Sequence, residues 1–304
     1  SGEELDTRLS STLLCDHPTR DALVSHLNHE AAPPSVFTSA ESARTAGISR
    51  TGLSCRIPRS LTALPQLMSL ARNALDEASE VPLSRWDVDA VETRGMNADV
   101  KARIRYGCFL ASVQHFDNAF FRIKRTEAAV LDPQQRLILE VGYEALGLRD
   151  ELRGSDTGVF LGMMNSDAAQ RLGSAIPGPY DITGVGYSSA GARLSYVFAM
   201  RGPAMTFDTA CSSSVVAAHV ARRALQHHDA ARGVVIGVNL LLIPGGAYVG
   251  PAATGMLSAM GRCHTFDERA DGYLRGEGCG GAVLAPAGDA DTMPGRAVKH
   301  NGQR

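Results

Sequence analysis

Apolar residues along this chain follow two rhythms. Short, nearly unbroken runs at Thr157 to Met163, Ala204 to Phe207, Gly233 to Asn239 and Cys279 to Ala285 read as strands. A strand covered on both faces shows such continuity instead of polar alternation. Other segments repeat at three- and four-residue steps. After Leu131, the residues Ile138, Val141, Ala145 and Leu148 mark one buried helical face. Asp132 is placed to cap that helix, Pro133 suits its first position, and Gly147 suits a left-handed stop. A second helix is predicted over 213–226, between strand 204–208 and strand 233–240, which makes a βαβ unit. From Ile48 onward the chain therefore reads as one α/β unit.

The first residues have a different pattern. Thr19 is a good N-cap, and Leu23 and Leu27 stack one turn apart, giving a short amphipathic helix within residues 1–30. Residues 31–47 are small, polar and proline-containing without apolar periodicity, and read as a linker. A start at Ser1 instead of Met is expected of a piece of a longer polypeptide. Composition narrows the function classes. A net charge of −2 supplies no field for nucleic acid or an anionic membrane. No apolar run approaches the roughly 18 residues that span a bilayer, and no signal-peptide core opens the chain. The six cysteines, at 15, 55, 108, 211, 263 and 279, include no C-x-x-C pair and no ligand-like histidine spacing. Reduced thiols in a cytoplasmic setting are expected, without zinc or a disulfide framework.

The chemistry centres on Pro203-Ala-Met-Thr-Phe-Asp-Thr-Ala-Cys211-Ser-Ser-Ser. Cys211 falls at the turn between a strand and a helix. Unpaired N–H groups and the positive end of the helix dipole favour thiolate there. The same N–H groups suit an oxyanion on a carbonyl bonded to that sulfur. Ala210, Ser212 and Ser213 are small and leave room for an acyl group. From spacing alone, a reactive thiol and a buried small hydrophobe both stand. His219 lies eight residues after Cys211, about two turns or ~12 Å along the helix, and reads as a packing histidine. His227 and His228 close that helix near solvent. Gly276-Glu-Gly-Cys-Gly-Gly281 satisfies G-x-G-x-x-G, but a strand-like run follows where a dinucleotide site needs a helix. Gly186-Tyr-Ser-Ser-Ala-Gly191 is one residue too long for a serine-hydrolase elbow. Glu277 and Asp267 are expected to play structural loop roles.

Taken as a string, the segment around Cys211 resembles the active-site signature of β-ketoacyl synthases of the polyketide and fatty-acid type. Other stretches in the same order strengthen the likeness: Tyr106-Gly-Cys-Phe-Leu110, Asp132-Pro-Gln-Gln-Arg136, Ala190-Gly-Ala-Arg193-Leu-Ser-Tyr196, Arg262-Cys-His-Thr-Phe-Asp267 and Ala270-Asp-Gly-Tyr-Leu-Arg-Gly276-Glu-Gly278. The likeness covers roughly residues 48 to 304. It implies an α/β, thiolase-like fold, of which this chain holds only the first βαβαβαββ half, preceded by a short helical remnant. Residues 1–30 are similar to the end of an acyl carrier domain, so the order would be carrier remnant, linker 31–47, and a truncated ketosynthase over 48–304.

The resemblance further implies Cys211 as the acylated nucleophile, with its own backbone N–H as part of the oxyanion site. No cofactor would be bound directly, since substrates ride on the phosphopantetheine of acyl carrier proteins. Two subunits would pair through strand 203–208, making a homodimer; the alternative is an interior strand. The family's two enolate-stabilising histidines, in a His-Gly-Thr-Gly-Thr motif and a later Gly-His pair, are absent here, so the 304 residues alone are expected to lack condensation activity. Some positions depart from the family pattern: His264 where lysine is usual, taken as a surface substitution; Ser258-Ala-Met-Gly261; and Arg50-Thr-Gly52 at the first strand. A non-catalytic, ketosynthase-like scaffold is the alternative function. Cysteine instead of glutamine at 211 argues against a loading-type decarboxylase, and a cysteine hydrolase lacks its His/Asn partners.

Overall fold

A computed structural model describes residues 47–58, 64–91, 98–147, 152–164, 166–172, 178–244 and 248–287. They belong to the second of two units into which the chain divides, Ala46–Arg304. The expected carrier helix, the linker, Leu148, Cys15 and His300 lie outside the described residues.

Five strands and three helices position the site. They are β1 (Ile48–Arg56), α1 (Pro133–Leu146), β2 (Thr157–Met163), α2 (Tyr187–Phe198), β3 (Ala204–Phe207), α3 (Ser213–Gln226), β4 (Arg232–Asn239) and β5 (Gly278–Pro286). The sheet order is β1-β5-β4-β2-β3. The β2 strand pairs parallel with both β3 and β4, while β5 pairs antiparallel with β4 and β1. The parallel core follows from the two crossovers through α2 and α3, which bring each new strand back in the same direction.

Helices cover the sheet on both faces. Phe160, Val235 and Leu284 point to one side and pack with Ala217, Ala221, Ala224 and Leu225 of α3. Their neighbours Val159, Leu161, Val234, Ile236 and Val283 point to the other, against Ile138, Val141 and Ala145 of α1 and Leu194 of α2. That alternation is the period-two geometry of a strand. It explains why every residue of β2 is buried. The expected caps of α1 are present: the Asp132 side chain accepts from Gln134 N, and Gly147 sits at φ 68 in the left-handed region.

Two expectations at the sheet edges are settled. Arg50-Thr51-Gly52 does form part of a strand, with a register irregularity between Arg50 and Gly52 that lets the polar pair face solvent. Among the described residues the 203–208 segment is not interior: β3 pairs only with β2 and ends the sheet, with Met205 exposed.

Candidate active site

The α3 helix begins on top of the carboxyl ends of β2 and β4, and two glycines let it come so close. A Cβ on Gly162 would collide with Ser214 N, and one on Gly237 would stand 2.7 Å from Ser214 Cβ. Cys211 occupies the turn just before this seat, and it is exposed. Ala210 takes φ 55, a left-handed conformation that costs a non-glycine residue about 1–3 kcal/mol.

Neighbouring side chains hold the turn against that cost. Asp208 Oδ1 accepts from Ala210 N at 3.1 Å. Ser212 Oγ donates to Thr209 O at 2.8 Å. Ser213 Oγ accepts from Thr209 N at 2.9 Å and donates to Ala210 O at 2.6 Å. Among the described residues, Cys211 N–H has no hydrogen-bond acceptor. The elbow thus presents a thiol and a free N–H side by side.

Cys211 opens on a cavity of about 1120 Å³ whose walls include Leu53, Cys55, Met164, Val235, Met256 and Leu274. Its floor is bare sheet. Gly237, Gly278 and Gly280 all line it, and a Cβ built on Gly280 would meet nothing within 4 Å. Burial pushes the thiol pKa of Cys55, Cys108 and Cys279 up, while Cys263 is exposed but its Sγ accepts Leu274 N at 3.4 Å.

Residue by residue, the expectations fare as follows. Glu277 is structural: its carboxylate takes Arg85 Nε and Nη2 at 2.9 and 2.8 Å, Leu110 N at 2.7 Å and Leu241 N at 3.1 Å. That buried pair ties the Tyr106–Leu110 stretch to the loop entering β5. Asp267 is also a loop residue, its carboxyl held down to about 2 by the Arg269 guanidinium. Gly278 to Gly281 lie within β5, so the glycine-rich string opens no helix. His219 is half-buried on α3, and His227 and His228 are exposed at its end. His264 lies on a loop between exposed neighbours. A tight turn with φ 41 at His264 and 63 at Phe266 leaves the imidazole half-buried with a shielded Nδ1, while Phe266 projects fully into solvent.

Residues 46–290 match the family model for the β-ketoacyl synthase N-terminal domain. The chain belongs to the β-ketoacyl synthase family.

Curated relatives of the chain include polyketide synthases. This ketosynthase chain is 39% identical over 245 residues to a mycocerosic acid synthase-like polyketide synthase of Mycolicibacterium smegmatis, covering 79% of this chain and 12% of the relative. It is 42% identical over 247 residues to the non-reducing polyketide synthase olcA of Penicillium canescens, covering 79% and 10%. Among solved structures, the ketosynthase from module 6 of the bacillaene synthase of Bacillus subtilis 168 superposes with TM-score 0.68 at 34% identity. That match spans 79% of this chain and 40% of the other. The thiolase-like α/β fold expected from the resemblance is the one present.

The ketosynthase motifs interlock in three dimensions. Gln135, of Asp132-Pro-Gln-Gln-Arg136, accepts from Arg193 Nε at 2.7 Å and donates to Gly184 O at 2.9 Å. Gln134 Oε1 accepts from Leu240 N at 3.2 Å, just beyond β4. Sequence reasoning listed these strings but missed their joints, because each joint links residues far apart in the chain. Gly162 and Gly237 gave one usable signal: each interrupts an apolar strand near its end, where a close backbone approach is the physical reason for a glycine.

Proposed function

We propose that this ketosynthase transfers an acyl group from the phosphopantetheine of an acyl carrier domain to Cys211 and extends it by decarboxylative Claisen condensation with a malonyl carrier. The observation that carries this reading is the exposed Cys211 Sγ, beside a free N–H, on a large glycine-floored cavity. In the first step Cys211 sulfur bonds to the thioester carbonyl carbon, and the oxyanion rests on the Cys211 N–H. Collapse breaks the bond to pantetheine sulfur, which leaves with the proton that Cys211 gave up. In the second step the malonyl thioester loses carbon dioxide, and its enolate carbon attacks the Cys211-bound carbonyl. Cys211 then departs and takes a proton from water.

The partners follow from the same reading: carrier domains bring both substrates, no cofactor is held by the chain itself, and the setting is cytoplasmic. The open edge of β3, with Met205 exposed, supports pairing with a second copy. Residues 1–30 belong to a carrier domain and 31–47 to a linker. The decisive experiment incubates the native full-length polypeptide with a short acyl-pantetheine thioester and maps the mass gain. An acyl adduct on Cys211, discharged by malonyl carrier with release of carbon dioxide, is the expected result. An adduct elsewhere, or none, overturns the proposal. The 304 residues alone, which lack the two histidine motifs, are expected to release no carbon dioxide.

A further inference from the structure

We infer that Ser213 is a positioning residue for Cys211, acting through the carbonyl of Ala210; this rests on the reading of Cys211 as the acylated nucleophile. Ser213 is buried at the wall of the cavity beside Cys211, and its hydroxyl is engaged by backbone groups on both sides. It spans the elbow from inside. Its Oγ accepts Thr209 N–H at 2.9 Å on one side of the strained residue and donates to Ala210 O at 2.6 Å on the other. Ser213 N–H also donates to Ala210 O at 3.2 Å, so one side chain and its own backbone grip the same carbonyl.

That carbonyl belongs to the peptide whose nitrogen is Cys211 N. Fixing Ala210 O therefore fixes the direction in which Cys211 N–H points. It also keeps Ala210 at φ 55, because a strained backbone persists only where its surroundings over-determine it. Ser212 makes a useful contrast. Its Oγ touches Thr209 O at 2.8 Å and Thr209 Oγ1 at 2.9 Å, and neither contact reaches the Ala210–Cys211 peptide. Two adjacent hydroxyls thus brace one turn, but only Ser213 holds the plane of the oxyanion-donating peptide.

The test compares Ser213→Ala, Ser213→Thr, Ser212→Ala and Cys211→Ala in the native full-length polypeptide. Acylation by acyl-pantetheine thioester is followed by mass, alongside Tm and the rate of Cys211 alkylation by iodoacetamide. Alkylation needs an accessible sulfur and no oxyanion donor. Ser213→Ala is expected to lower kcat for acylation about 10- to 100-fold with KM unchanged, the scale of a small misplacement of reacting groups. Alkylation should stay close to the parent rate. Ser213→Thr, which keeps the hydroxyl, should restore most of the loss, and Ser212→Ala should cost far less. If Ser213→Ala acylates like the parent while Cys211→Ala is dead, the inference fails and the proposed function stands. Equal losses in Ser212→Ala and Ser213→Ala, or an alkylation rate that falls with acylation, also overturn it. Normal acylation of Cys211→Ala would instead remove the reading on which both depend.

Discussion

Two fourteen-residue helices of this fold begin in opposite ways. The α1 helix is closed by its own residues. Asp132 is fully buried, its carboxylate accepts Gln134 N at 2.8 Å and Ser166 Oγ at 2.6 Å, and Pro133 removes a donor that would otherwise need a partner. The α3 helix is left open. Its preceding residues are small, its cap residue Ser212 makes no capping bond, and the Cys211 N–H beside it has no acceptor among the described residues. The positive end of a helix dipole attracts negative charge in both places. In α1 the protein supplies that charge and spends it on stability. In α3 no capping side chain supplies it, which leaves the place open to the oxyanion of the proposed reaction.

The largest test of that contrast removes the sulfur. Cys211→Ala is expected to abolish acyl-adduct formation, a loss above about 1,000-fold. Its stability should change by less than about 0.5 kcal/mol, as for an exposed site, which urea titration measures. The reverse outcome is expected at the other helix. Asp132→Ala should cost about 2–4 kcal/mol, from a lost cap and stranded partners. Folded molecules of that variant should still alkylate at Cys211. A variant that lost both properties would show the two helix starts to be coupled.

Gly162→Ala comes next, because it strikes the open junction from beneath. A methyl group there must displace Ser214 N, so about 1–3 kcal/mol of stability should go, as in other overpacked sites. Acylation should fall with it, unlike the Asp132 case. The smallest effect concerns the tie between α1 and β1, where Glu144 bonds Arg56 and Ser54. The Arg56 guanidinium holds the Glu144 carboxyl below its ordinary value of 4.5. A depressed folded-state value gives stability that is present above pH 4.5 and lost as pH falls through the lower folded value. Glu144→Gln should therefore cost less than about 1 kcal/mol at pH 7 for this half-exposed pair. The gap between variant and parent should close in acid.

Sequence reading reached what is written locally. Asp132, Pro133 and Gly147 announce both ends of α1 because caps act within a turn of themselves. The apolar runs of β2, β4 and β5 need no distant information either, whereas β3, whose continuity reads as burial on both faces, has Ala204 and Met205 exposed because it ends the sheet. It reached less far at β1, where Arg50 and Thr51 look foreign to a strand until the irregular edge pairing with β5 explains them. The chemistry divides in the same way. Cys211 was visible from its string, whereas the bracing by Ser213 depends on backbone angles that no spacing reveals. Three of the four bonds that bind Glu277 reach back to Arg85 and Leu110, across more than 160 positions. Only folding brings them together.

Gly280 leaves the cavity floor without a side chain, and no neighbour waits to fill the gap. Capacity at this site is therefore set by an omission that a single codon can reverse. Alanine, valine and leucine at 280 would raise the floor in steps without disturbing the elbow, making this position a graded handle on the room beside Cys211.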